Sequence, residues 1–158
     1  MSFKRLKFKK INNARDLGGL PAADGKRIKY GKLIRSARLY KLPASTVKRL
    51  KDYGLTAVID LRTDNERREK PRTEIAGVKY YDVPILTTSA AAITGDKSMA
   101  QIIFSESKHL KEQYGTADNY MRAMYTDVLF NETSVPRLRK FFDILLAEEG
   151  CVLWLCNQ

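Results

Sequence analysis

Three groups of residues have types and spacings that could do chemistry. The first is Cys156, at the end of the apolar run Cys151-Val152-Leu153-Trp154-Leu155, with only Asn157 and Gln158 beyond it. Large apolar residues in an unbroken run after Gly150 read as a strand buried on both faces. Such a strand delivers a thiol to its C-terminal end, where open α/β sheets place their chemistry. The second group is Asp60 and Arg62, two residues apart, whose side chains leave one side of a strand as it emerges from the core. Arg62 could hold an anion while Asp60 fixes its fork, or the two could pair with each other and cap the neighbouring turns. The third is Arg35 and Arg38 beside Ser36, open to the same two readings.

The elements that must position these groups follow from the apolar pattern. Leu42 and Pro43 open a helix with Val47, Leu50 and Tyr53 on one face and Gly54 where a C-cap belongs. Thr56 to Arg62 is short, β-branched and nearly continuously apolar, as a central parallel strand requires. Thr63 and Glu66 have capping-box spacing for a short helix that Pro71 ends. Val78 to Ile85 reads as the next strand. Two helices follow the less regular stretch 86–115: Tyr120, Met121, Met124, Tyr125, Val128 and Leu129 form one apolar stripe, and Leu138, Phe141, Phe142, Leu145 and Leu146 form another, both expected to pack in the core. This βαβ series predicts an α/β fold with a mainly parallel sheet flanked by helices.

Composition bounds the rest. At 158 residues and 44% hydrophobic, the chain is expected to form one domain over 1–158, with 86–115 a lid insertion or a surface excursion. No run approaches the roughly 20 apolar residues of a membrane span. With no secretory leader pattern either, the expected location is cytoplasmic. Cys151 and Cys156 point to opposite strand faces and are expected to be reduced thiols. His109, the single histidine, lies between Lys108 and Lys111 and reads as part of a solvated helix face; no metal or cofactor is expected. The net charge of +11 is confined to the first third, where 16 Lys and Arg up to Lys51 face only Asp16 and Asp24; later, 13 basic residues face 16 acidic ones. That third reads either as a surface for an anionic partner or as a solvated basic edge. It has no interleaved aromatic platforms or groove-reading motif, so nucleic acid is not the expected partner.

Taken in order, NARDLGG (Asn13 to Gly19), LIRSARL (Leu33 to Leu39), VIDLRTDNERREKP (Val58 to Pro71) and the terminal VLWLC resemble the bacterial tyrosine-phosphatase-like family of cysteine phosphatases. The resemblance spans essentially the whole chain. It implies the dual-specificity phosphatase fold and hydrolysis of phosphate monoesters on phosphoproteins or phosphoinositides, without a cofactor. In that family the last strand enters a loop of the form HCxxGKDRTG, so WLCNQ places Cys156 at the nucleophile position and Asn157 and Gln158 in the phosphate-binding loop. Arg62, Asp60 and Arg35 are then expected to frame the anion, with Arg15, Asp16 and Glu66 as structural support.

Two departures stand out: Leu155 replaces the loop His, and the sequence stops before the Gly, Lys, Asp and Arg. Asp82 is a conceivable replacement acid, although a solvated strand end is the simpler role. The expectation is an N-terminal portion, incomplete at its C-terminus and inactive as 158 residues, that could self-associate through an uncovered terminal strand. The alternative is a non-catalytic module that binds an anionic phosphoinositide or phosphoprotein through the basic first third.

Overall fold

The computed structural model describes residues 3–85 and 107–157. Six strands form one sheet: β1 Lys4–Arg5, β2 Arg15–Asp16, β3 Leu33–Ser36, β4 Leu55–Asp60, β5 Lys79–Asp82 and β6 Cys151–Leu155. Their spatial order is β1-β2-β3-β6-β4-β5. Strands β3, β6, β4 and β5 are mutually parallel, while β1 and β2 extend the sheet antiparallel. The helices are α1 Ala44–Asp52, α2 Asp64–Glu69, α3 Ser107–Tyr114, α4 Ala117–Phe130 and α5 Ser134–Ala147. The α/β sheet with flanking helices agrees with the sequence reading. The proposed lid at 86–115 lies mostly outside the described residues.

Side chains on alternate positions of the central strands build two cores. On one face Ile34, Val58, Leu153 and Leu155 pack with Leu50 of α1 and with Phe8, Ile11 and Ala14 of the N-terminal segment. On the other, Ala57, Ile59, Val152 and Trp154 pack with Phe141, Ile144 and Leu145 of α5. The Phe141 and Trp154 rings meet edge-on at 5.7 Å. The β4–β6 register shifts between Leu55 and Ala57. Gly150 is needed beside that irregularity, because a Cβ there would stand 2.1 Å from Thr56 Oγ1.

The terminal strand is not uncovered. β6 lies between β3 and β4, and Val152, Leu153 and Leu155 are almost completely buried, so it offers no apolar edge for self-association. Exposed large apolar side chains are found instead on α4 and α5, and at Phe3 and Tyr30. Tyr120 is buried, but Tyr125 and Leu129 of the same predicted stripe are 57% and 49% exposed; on α5, Phe141 is buried while Phe142 and Leu146 face solvent. The α4 helix packs on α3 and α5.

Local signals at the helix ends behave as their chemistry dictates. Gly54 follows α1 at φ 90°, in the left-handed region that stops a helix cheaply. The capping box at α2 is complete: the Glu66 N–H donates to Thr63 Oγ1, and the Thr63 N–H donates to Glu66 Oε2 at 2.9 Å.

Candidate active site

One row of directly opposed residues, Ser36, Leu155, Asp60 and Asp82, closes the four parallel strands at their C-terminal ends. Cys156 follows at the end of the central strand, its N–H donating to the Ser36 carbonyl. The thiol is half-buried. Arg35, on β3 next door, directs Nη2 to within 3.6 Å of Cys156 Sγ. Arg38 donates through Nη1 to Asn157 at both Oδ1 (2.8 Å) and the carbonyl (3.1 Å), holding the chain immediately after the thiol. Beside Asn157 opens a cleft of about 520 Å³ lined by Lys10, Asn12, Asn13, Arg38 and Lys41. A thiol at a strand end, an arginine in contact with it and a basic cleft alongside can attract and hold an anion.

The DLGG motif explains how Arg35 is held in place. Asp16 is fully buried, and its carboxylate accepts from the N–H groups of Gly18 and Gly31, both at 2.8 Å, and from the Tyr53 hydroxyl at 2.6 Å. Burial and the Asp16 carboxylate push the Tyr53 phenol well above its ordinary pKa, which keeps it a donor. Gly18 must be glycine, since a Cβ would lie 2.5 Å from the Tyr30 backbone. The hub ties together the turn between β2 and β3 and the end of α1, and so fixes the register in which Arg15 opposes Arg35. Burial and the neighbouring Arg35 charge both lower the Arg15 pKa, whereas Cys156 acts to raise it; the residue expected to be structural support is thus electrostatically part of the thiol's surroundings.

On the other side of β6 the geometry realises the second of the two readings for Asp60 and Arg62. Arg62 has its side chain wholly buried and donates through Nε (2.9 Å) and Nη2 (2.7 Å) to the two oxygens of Asp60, and through Nη1 to the Lys70 carbonyl (2.8 Å). The fork that was expected to frame an anion is turned into the protein. Asp82 is likewise occupied, by Arg72 and at 3.8 Å by Arg67. Glu66 serves as the α2 cap described above. Gln158 lies outside the described residues, and His109 is exposed on α3. The Arg38–Asn157 contact was not foreseen; the only signal for it is that Arg35 and Arg38 flank the end of a strand.

The two cysteines differ sharply. Neither is in a disulfide; Cys151 is 2% exposed, and burial, reinforced by the Asp16 charge, pushes its thiol up to about 12. Iodoacetamide at pH 8 is therefore expected to modify the native chain once, at Cys156, and twice in urea, as counted by mass spectrometry; labelling of Cys151 in the native state would contradict this burial. The same shift has a linkage consequence. Above about pH 8.5 the unfolded chain releases a proton that native Cys151 retains, so its contribution to stability falls as pH rises.

With this geometry in place, the match to known families has a physical referent. A model of the tyrosine phosphatase family matches residues 6–158. The chain belongs to that family. No curated protein matches it. Family membership makes this a phosphatase-type domain whose substrates are phosphorylated, and the match runs continuously from the N-terminal segment through Cys156. Among the described residues no helix is long and apolar enough to cross a membrane.

Proposed function

We propose that this tyrosine phosphatase family domain acts on phosphate monoesters, of the tyrosine or dual-specificity type, through a cysteinyl-phosphate intermediate with Cys156 as nucleophile. The observation that carries the reading is the Arg35 guanidinium 3.6 Å from Cys156 Sγ at the C-terminal end of the central strand. The thiolate attacks phosphorus, a P–S bond forms as the ester P–O bond breaks, and the leaving oxygen takes up a proton. Water then cleaves the P–S bond and releases inorganic phosphate, regenerating the thiol. Arg35 neutralises charge on the phosphoryl oxygens, a contribution that needs position rather than covalent chemistry. Arg38 and Asn157 hold the backbone that would present N–H groups to the same oxygens. Asp16 and Arg15 support Arg35, and Asp60, Arg62 and Glu66 brace the neighbouring strand end.

Alkylation of Cys156 tests this without requiring turnover. Iodoacetate, being anionic, is expected to react faster relative to iodoacetamide in the wild-type chain than in Arg35→Ala, and inorganic phosphate is expected to protect the thiol. Equal reagent ratios in both proteins with no protection would refute the assignment. Loss of this alkylation and of any p-nitrophenyl phosphate turnover in Cys156→Ser is the second arm of the test.

The basic cleft lined by Lys10, Arg38 and Lys41 favours a second reading, a module that binds an anionic partner without catalysis. Salt-sensitive anion binding untouched by Cys156→Ser distinguishes it.

A further inference from the structure

Three arginines stand in one row across the sheet. Arg5 of β1 is directly opposite Arg15 of β2, and Arg15 is directly opposite Arg35 of β3. Directly opposed residues share a face with Cα atoms about 4.5–5.5 Å apart, and like charges in that relation are destabilising. The row begins about 10 Å from Arg35, at exposed Arg5, and ends at the guanidinium that touches Cys156 Sγ.

Among the described residues no carboxylate relieves this repulsion, and the opposing influence on Arg15 comes from the Cys156 thiol. Arg62, Arg67 and Arg72 each pair with Asp60, Asp64 or Asp82, yet among the described residues none of Arg5, Arg15 and Arg35 forms an ion pair. The Arg15 guanidinium instead donates to the neutral Asn13 side chain and lies over the Phe3 ring at 5.3 Å. The crowding registers on Arg15 itself, whose pKa is lowered first by burial and then by Arg35, with Arg5 adding to it. These contacts hold Arg15 in place without neutralising it. A costly arrangement of like charges, kept in register by the buried Asp16 hub and leading to a thiol, is what a multiply anionic ligand would stabilise.

We propose that Arg15 and Arg5 form a subsite for acidic side chains of a peptide substrate, read outward from the phosphate held at Cys156 and Arg35. The inference rests on the reading of Cys156 and Arg35 as the phosphate site. The length of the row selects the ligand. A compact ring with phosphates on neighbouring positions reaches from Arg35 to Arg15, about one strand spacing. Engaging Arg5 at about twice that distance takes an extended chain, which rises about 3.3 Å per residue and so covers the row in about three residues.

The test uses fluorescent hexapeptides carrying a non-hydrolysable phosphonate analogue of phosphotyrosine, flanked by either Glu or Ala. Fluorescence anisotropy is expected to show the Glu-flanked peptide binding about tenfold more tightly, the combined effect of two partly exposed charge pairs, with the preference shrinking at 0.5 M salt. Arg15→Ala and Arg5→Ala should each reduce that ratio several-fold; Arg5→Ala should leave the affinity for the Ala-flanked peptide unchanged, while Arg15→Ala, next to Arg35, should lower it by a smaller factor than for the Glu-flanked peptide, and a cooperative urea transition certifies the fold of each variant. A reduction by Arg15→Ala but not by Arg5→Ala overturns the peptide assignment in favour of a compact polyanion. Equal binding of the two peptides, while both protect Cys156 from alkylation, overturns the subsite and leaves the phosphate site standing. Protection by neither peptide overturns both.

Discussion

Replacing Asp60 by Ala is expected to remove about 3–5 kcal/mol of stability, because it strands a buried cation. The Arg62 side chain has no solvent exposure, and Asp60 is 1% exposed. Asp60 also accepts from the Arg62 backbone N–H at 3.1 Å and from Arg72 at 3.5 Å. A domain of this size holds roughly 5–15 kcal/mol in total, so the variant should sit near its unfolding threshold. The measurement is urea denaturation: the midpoint should fall with the slope unchanged. The paired variant Asp60→Leu/Arg62→Met should recover most of the loss, since replacing both ions removes the desolvation penalty along with the attraction. A midpoint unmoved by Asp60→Ala would show that the pair is not buried as described.

That test also separates two roles that look alike in a sequence. An Asp and an Arg two residues apart at a strand end serve equally well as a ligand clamp or as an internal brace, and periodicity is blind to the difference. What decides it is the Lys70 carbonyl, which takes up Nη1 and turns the guanidinium inward. This is a contact with the chain after α2, and it depends on how the loop returns. Among the described residues Arg35 has no such inward carbonyl partner; β6 is inserted next to β3 and brings Cys156 within its reach across 121 positions of sequence.

Other parts of the fold were legible, or not, for equally specific reasons. The CVLWLC run announces its own burial on both faces, and Thr63 with Glu66 is a contact within one helical turn. Strands β1 and β2 have two residues each, too few for any alternation to be read. The Arg5–Arg15–Arg35 row exists only through their register, so three arginines scattered over thirty positions give no local sign of it. The α4 stripe is a subtler case. Tyr125 and Leu129 lie on an apolar face as their spacing dictates, but periodicity says nothing about whether another element covers that face.

Leu153→Ala is the second large effect, expected to cost about 3–5 kcal/mol. Leu153 is completely buried at the middle of β6, opposed by Ile34 on β3 and by Val58 on β4, both themselves fully buried. Its neighbours are held by strand pairing on either side, so the sheet cannot collapse into the space the missing atoms leave, which puts the cost toward the upper part of the range for such truncations. Leu153→Met, which preserves volume, should cost less than about 1.5 kcal/mol. Trp154→Ala gives a useful contrast one position along. Trp154 is partly exposed and packs against Phe141, so its loss loosens α5 without opening the strand core. The two truncations act on opposite faces: Leu153→Ala opens the face that holds Ile34, whereas Trp154 is directly opposite Arg35 and shares its face with Cys156. Cys156 in Trp154→Ala should therefore lose part of its preference for iodoacetate over iodoacetamide, because Arg35 loses its cross-strand neighbour, while Leu153→Ala should keep more of that preference under conditions where the chain is still folded. Retention of the full preference in Trp154→Ala would mean that the Arg35–Cys156 contact does not depend on packing across the strand pair.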